Sequence, residues 1–365
     1  MESQIITRWS DFDQLKEGWD ALLKNSWADT VFLTWDWIQA WREAVHEAVE
    51  PFVVVVRDDK GDLVGLAPFY MAELRLLNLV SFKTLRIMAD YATGAEYPDW
   101  IVSRHVEKEA VQVIVSALLE ANGRWDTIWM PHMTGWTGNI ENISSACQTG
   151  GLPHRYRATR FGYFDLPETM AQFEAHFFGE RLQELRDERS ALLCRENVEI
   201  TRCTNKADLP GLLEALFELH DRRWSLAGGA GRKPYEAEFY RLFVQRVFDE
   251  GLLRLAAITD GGKIEAIQIG SIYNNHYLLL QEALNPDAVP GVGEVLRALV
   301  IEDCINAGVK GYDFLMGADE EKRRWGAEER SGYDLFIGSP NLKTRLLFSK
   351  EIWPTGRFLT QSRQN

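Results

Sequence analysis

The stretch NPDAVPGVGEVLRALVIEDCINAG, Asn285 to Gly308, follows the apolar run YLLLQEAL, Tyr277 to Leu284. It opens with turn residues, passes through Pro290-Gly291-Val292-Gly293 and continues as a helical run that stops at Gly308. Leu296, Leu299, Val300 and Cys304 recur at helical spacing, so one face of this helix packs on a sheet. Glycine inside an ordered element costs roughly 0.5–1 kcal/mol. Two glycines at a helix start therefore mark either a tight strand-to-helix turn or a place where something approaches the backbone. The first four N–H groups of a helix have no partner within it, and the macrodipole draws an anion to that end. Glycines clear Cβ atoms out of the way. The phosphate-cradle reading assigns the seat to Pro290, Gly291, Val292, Gly293 and Glu294, with the Glu294 carboxylate turned aside. A plain turn is the alternative.

Working outward, the chain repeats itself in its order of elements. PFVVVVRDDKGDLVGLAPFYM, with a turn at Asp59-Lys60-Gly61, matches LLRLAAITDGGKIEAIQIGSIYN, with a turn at Asp260-Gly261-Gly262. Both read as β-hairpins. An aromatic-rich helix precedes each: TWDWIQAWREAV in one, FYRLFVQRVFDEG in the other. Helix, glycine and strand follow each, with Gly123 and Gly308 in the place of a helix C-cap. The closing strands also correspond, Phe161–Phe164 with Ser331–Asp334. Two α/β units result, each a mostly antiparallel mixed sheet flanked by helices, joined by a helix within Phe173–Glu196. The first copy has YPDWIVSRHVEKEAV where the second has its glycine loop, which points to a ligand in the second half.

The totals narrow the function. The chain has 365 residues, 46% hydrophobic and 26% charged, so it is globular. A net charge of -14 disfavours broad nucleic-acid binding. The four cysteines lack C-x-x-C spacing, so no metal or disulfide framework is expected. The opening MESQIITRWSDFDQL has no signal-peptide pattern and no apolar run reaches membrane-spanning length, which makes the expected location cytoplasmic. G-x-S-x-G, H-E-x-x-H and Walker-type motifs are absent.

Strand, glycine loop, helix, strand is also the order in the GNAT superfamily, and about Pro210–Ser339 resembles it. Tyr312-Asp313-Phe314-Leu315 with Lys322-Arg323-Arg324-Trp325-Gly326-Ala327 is similar to the BioF2-like, or CelD-like, acetyltransferase branch. Phe32–Trp37, Glu96–Trp100 and Arg222-Arg223-Trp224 resemble it too. That branch is related to the FemABX aminoacyltransferases, which carry two GNAT-like units. The resemblance implies an α/β (α+β) fold of two tandem GNAT-like units. The expected division is residues 1–170, a helical connection at 171–200, an acyl-CoA-binding unit at 201–345 and a tail at 346–365. The usual loop begins with Arg or Gln, where this chain has Ala288, so one side-chain donor to phosphate is missing.

Transfer from a thioester to an amine needs a neutral amine, an oxyanion donor and a proton acceptor. Glu282, the one carboxylate in its apolar strand, is the first choice of base, beside Gln281. Asp313 and Asp319 are further acceptors, Tyr312 is a donor to the leaving thiolate, and His220 is a lesser base. Lys322, Arg324 and Trp325 form a cationic, aromatic loop for a phosphate or acidic substrate. Arg223 and Trp224 precede the glycine-rich segment Ala227–Gly231, which reads as a lid. Trp35, Trp37, Tyr97 and Trp100 are expected to wall the substrate cleft. The expected function is an acyl-CoA-dependent N-acyltransferase, using acetyl-CoA or another acyl-CoA and no metal. Its acceptor class, implied by the resemblance, is an amine such as an amino sugar in envelope or polysaccharide biosynthesis. A homodimer is compatible with this. The rivals are a Fem-like aminoacyltransferase using charged tRNA and a degenerate acyltransferase fold kept as a partner-binding subunit.

Overall fold

The computed structural model describes residues 1–45, 49–76, 79–90, 93–175, 182–226, 234–350, 352–354 and 359–361. In chain order it begins β1 (Glu2–Ile6), α1 (Trp9–Phe12), α2 (Lys16–Lys24), α3 (Trp35–Ala44), β2 (Glu50–Arg57), β3 (Leu63–Leu76) and β4 (Val80–Ile87). It continues β5 (Ile101–Val102), α4 (Glu107–Glu120), β6 (Thr127–Thr134), α5 (Asn139–Gly150), β7 (His154–Asp165), α6 (Met170–Phe173) and α7 (Leu182–Leu193). Next come β8 (Val198–Arg202), α8 (Leu209–Leu226), α9 (Pro234–Val247), β9 (Leu253–Asp260), β10 (Lys263–Tyr273), β11 (His276–Leu284) and α10 (Val292–Asn306). The chain closes with β12 (Gly311–Met316), α11 (Glu320–Arg324), β13 (Glu328–Gly338), α12 (Leu342–Ser349) and β14 (Leu359–Gln361). The fold is mixed α/β, with mostly antiparallel sheet flanked by helices.

Two compact units form, Met1–Thr159 with Ser331–Asn365, and Arg160–Arg330. In the first, the strand order is β1-β2-β3-β4-β6-β13. Every neighbouring pair there is antiparallel except β4 with β6. In the second, the order is β7-β12-β11-β10-β9-β8, and only β11 with β12 is parallel. A parallel pair cannot be closed by a hairpin and needs a crossover. The helices α4 and α10 are those crossovers, which is why the helix-glycine-strand pattern appears twice. Gly308 takes the left-handed φ of 73° expected after α10. Gly123, by contrast, has no positive φ; it lies two residues past the cap Ala121, whereas Gly308 directly follows the cap Ala307.

The units interleave in sequence. Phe161 pairs with Met316 and Phe164 with Tyr312, in the second unit. Gly332 pairs with Thr134 and Gly338 with Thr127, in the first. The expected break near 170–200 thus assigned each closing strand to the half that precedes it in the chain. Alternation of apolar residues marks a strand without naming its partner, so the exchange of closing strands left no trace in the pattern.

Burial of apolar faces holds each unit. In the second, Val295, Leu296, Leu299, Val300 and Cys304 of α10 pack on Tyr277, Tyr312, Phe164 and Phe314, each fully buried aliphatic contributing roughly 1.5–3 kcal/mol. In the first, Phe12, Trp19 and Trp35 pack ring on ring, with centroids 5.0–5.5 Å apart. Trp37 and Trp100 are fully buried and Trp35 and Tyr97 nearly so. These rings enlarge the core and do not line an open cleft, which corrects their expected role as walls.

Candidate functional site

The segment from β11 to α10 is built tightly. Asn285 is buried and donates to Glu265 Oε2 at 2.6 Å, while its own Oδ1 accepts from Arg222 at 3.1 Å. Arg222 also holds Asp287 at 2.5 Å. Gly291 is the N-cap of α10, with φ of 84°. That left-handed conformation favours glycine, since a side chain there costs roughly 1–2 kcal/mol. Gly293 is required by close approach: a methyl group at that position would lie 2.8 Å from Leu284 Cδ2. The Val292 N–H points back to the Val289 carbonyl at a long 3.4 Å. A cavity of about 190 Å³ opens beside the loop, between Pro290, Gly291 and Val292 on one side and Glu188 and Leu192 of α7, with Arg195 just beyond it, on the other.

Glu188 decides how this seat is read. Its carboxylate lies directly against Gly291, so that a methyl group added there would sit 2.5 Å from the carboxylate carbon. A negative group therefore already stands at the positive end of α10. Glu188 and the N-terminus of α10 together border the cavity.

The candidate base Glu282 is committed to an ion pair. Arg297 of α10, buried, reaches Glu282 Oε1 at 2.6 Å and Glu321 at 3.0 Å. The Tyr312 hydroxyl accepts from Gln268 Nε2 at 3.0 Å, beside the Tyr277 hydroxyl on the same amide at 2.8 Å. Burial pushes the Tyr312 hydroxyl far above its ordinary range, so it stays a donor and does not act as a base. Asp313 accepts the Leu315 N–H at 2.8 Å, within a bulge where Leu315 takes φ of 60°.

The cationic loop is less open than its sequence implies. Lys322 Nζ donates to the Phe314 and Gly317 carbonyls at 3.0 and 3.2 Å, and to that of Met316. It ties down the bulge. Trp325 is buried in the core under Arg297, which lies 5.5 Å from its ring. Arg324 is exposed and pairs with Glu320 at 3.2 Å. Asp319 caps α11 through the Lys322 N–H at 3.0 Å. Arg223 lies exposed near the end of α8, His220 is 3.7 Å from Asp221, and Gln281 is half-buried. The Trp224 side chain and the segment Ala227–Gly231 lie outside the described residues.

Sequence reasoning missed Glu188, Arg297 and the brace from Arg222. Arg297 carried a usable signal, a lone cation inside an otherwise apolar helix face. Glu188 carried none, because it comes from a helix about a hundred residues away in sequence.

Residues 179–323 match the family described as acetyltransferase (GNAT) domain. That range contains both flanking strands, the loop and α10. The matched part, 145 of the 365 residues, is similar to a GNAT domain. Over 95% of this chain and 99% of the other, it is similar to FemX, with a TM-score of 0.61 and 12% identity. It resembles L-PGS from Bacillus licheniformis over 91% and 95% of the two chains, with a TM-score of 0.52 and 11% identity. A conserved protein of unknown function from Bacteroides thetaiotaomicron is alike over 92% and 100%, with a TM-score of 0.52 and 10% identity. At these identities the likeness is one of fold alone. No curated protein matches the sequence. Among the described residues, no group of three or more His, Cys, Asp or Glu is placed to hold a metal, and no helix is long and apolar enough to cross a membrane.

Proposed function

We propose that the protein is an acyl-CoA-dependent N-acyltransferase built from two tandem GNAT-like units. The observation that carries this is the N-terminus of α10, capped by a left-handed glycine beside a small cavity and lying within the GNAT match. Pro290 to Glu294 would hold the diphosphate of the coenzyme, which supplies the activated acyl group. The loop and α10 join the parallel pair β11 and β12. Tyr312, kept protonated by burial, is the residue we assign as donor to a leaving sulfur. Glu282 acts by fixing Arg297, and Arg297 fixes α10 against its sheet. The acceptor is an amine, and an amino sugar or envelope precursor is the class implied by the family resemblance. The test is calorimetric titration with acetyl-CoA, alongside thermal unfolding with and without it. Micromolar binding with stabilisation is expected. No heat and no shift, in the wild type and in a variant lacking the Glu188 carboxylate, would remove the reading.

One observation favours a second reading. Glu188 fills the anion seat, and Ala288 leaves it without the usual side-chain donor. A chain that has given up the coenzyme and serves as a partner-binding subunit would look the same. It predicts that removing the Glu188 carboxylate uncovers no affinity for coenzyme A.

A further inference from the structure

Within the first unit, α12 turns two leucines away from the core. Thr344 and Leu347 are its buried residues, and Leu347 packs with Leu74, Phe82, Trp129 and Phe336. At helical spacing Leu342 and Leu346 lie one above the other, off that buried face. They are 78% and 69% exposed. The β3–β4 hairpin continues the same surface. Leu74 pairs with Phe82 and Leu76 with Val80, so Val80 shares a sheet face with Phe82, one row nearer the tip. Lys343 Nζ lies 4.4 Å from the centre of the Phe82 ring, which sets the start of α12 beside that row. Val80 is 41% exposed and Leu79 84%. A single exposed leucine needs no explanation. Apolar side chains gathered from a helix and a hairpin tip mark an interaction surface.

Charge at this surface runs against that of the whole chain, which is -14. From Asn341 to Asn365 the basic residues are Lys343, Arg345, Lys350, Arg357 and Arg363, and Glu351 is the one acidic residue. Lys343 pairs with Asp126 at 2.8 Å. Arg345 and Lys350 are exposed and form no ion pair among the described residues. By helical rotation Arg345 falls on one side of the leucine pair and Lys350, at the C-cap, on the other. Glu73 of β3 points to the opposite sheet face and is held there by Arg75 at 2.7 Å.

We propose that this edge of the first unit docks on an anionic lipid bilayer. Leu342, Leu346, Leu79 and Val80 enter the interfacial region, and Arg345 and Lys350 lie at the level of the lipid phosphates. A nucleic acid would match the cations but gives the leucines no apolar medium. The apolar side chains stand out from the surface, Leu79 most of all, so they suit a medium that closes around them. Burial of apolar area and attraction to anionic headgroups add to each other in such docking. A few leucines and cations give reversible attachment, with no part of the chain crossing the bilayer.

The experiment is cosedimentation of the full chain with sucrose-loaded vesicles at low and at physiological salt. One set is phosphatidylcholine alone, the other phosphatidylcholine mixed equally with phosphatidylglycerol. Binding is expected to the anionic vesicles, weaker at physiological salt and weakest on phosphatidylcholine. Leu342→Ser combined with Leu346→Ser should lower the bound-to-free ratio at least ~10-fold, because it removes apolar area from the interface. Arg345→Gln combined with Lys350→Gln should lower it about 10-fold at low salt and less at physiological salt. Thermal unfolding should be unchanged in both variants, since all four side chains are exposed. No sedimentation with anionic vesicles would overturn the proposal, as would binding that survives the leucine changes. Light scattering that shows wild-type dimers, dissociated by the leucine changes, would assign the face to a second copy of the chain and overturn it as well.

Discussion

The Glu188 carboxylate rests against the α-carbon of Gly291, with no space for a methyl group between them. The glycine makes room for the anion, and the anion compensates the exposed dipole of α10. Gly291→Ala should therefore lose stability twice, through its φ of 84° and through the collision with Glu188. A loss of about 1–3 kcal/mol is expected. In urea unfolding, Glu188→Ala should recover part of that loss when combined with Gly291→Ala. Strict additivity of the two changes would show that the residues do not touch.

Arg297 sits buried between Glu282 and Glu321. Glu282→Gln leaves a guanidinium with a weakened partner, so it should destabilise the protein by about 1–3 kcal/mol. Any loss of transfer should follow the loss of fold, with thermal unfolding and kcat measured on the same samples. A Glu282→Gln protein of unchanged stability and abolished turnover would return Glu282 to the role of general base.

Lys322 donates to three backbone carbonyls, those of Phe314, Met316 and Gly317, at the β12 bulge. Lys322→Met should leave those carbonyls unsatisfied and lower stability by about 1–3 kcal/mol. Affinity for coenzyme A should hardly change. A tenfold loss of affinity with stability intact would mean that Lys322 grips phosphate instead.

Asp99 gives a signature in pH. Burial raises its carboxyl from the usual 3.8 to about 7, against the opposing hydrogen bonds from Asn139, the Trp100 N–H and Thr137. The folded protein thus holds this proton more tightly than the unfolded chain. The contribution is fully present below about pH 3.8 and is lost as pH rises through about 7. Asp99→Asn cannot ionise, so its stability relative to wild type should increase between pH 5 and 8. A pH-independent difference would show that Asp99 is ionised in the fold throughout.

Much of this architecture is legible from sequence because local chemistry writes it there. The hairpin turns at Gly61 and Gly262, the apolar stripe of α10 and the glycine before it are each set by residues a few positions apart. The closing strands are not, since Phe161–Phe164 and Ser331–Asp334 alternate alike and differ only in the sheet they join. The candidate site shows the same divide. Its loop is local and was found. The position of Glu188 beside Gly291 and the pairing of Glu282 with Arg297 depend on which helix packs where. Tryptophan and tyrosine were ambiguous for a related reason: Trp37, Trp100 and Trp325 suit a cleft by type and belong to the core by burial.

The most direct test is a calorimetric titration of coenzyme A into wild-type protein and into Glu188→Ala, both shown to be folded. If the start of α10 seats a diphosphate, both bind, and the variant binds at least several-fold more tightly because no internal anion has to leave. Equal absence of binding in the two proteins would contradict the account at its root.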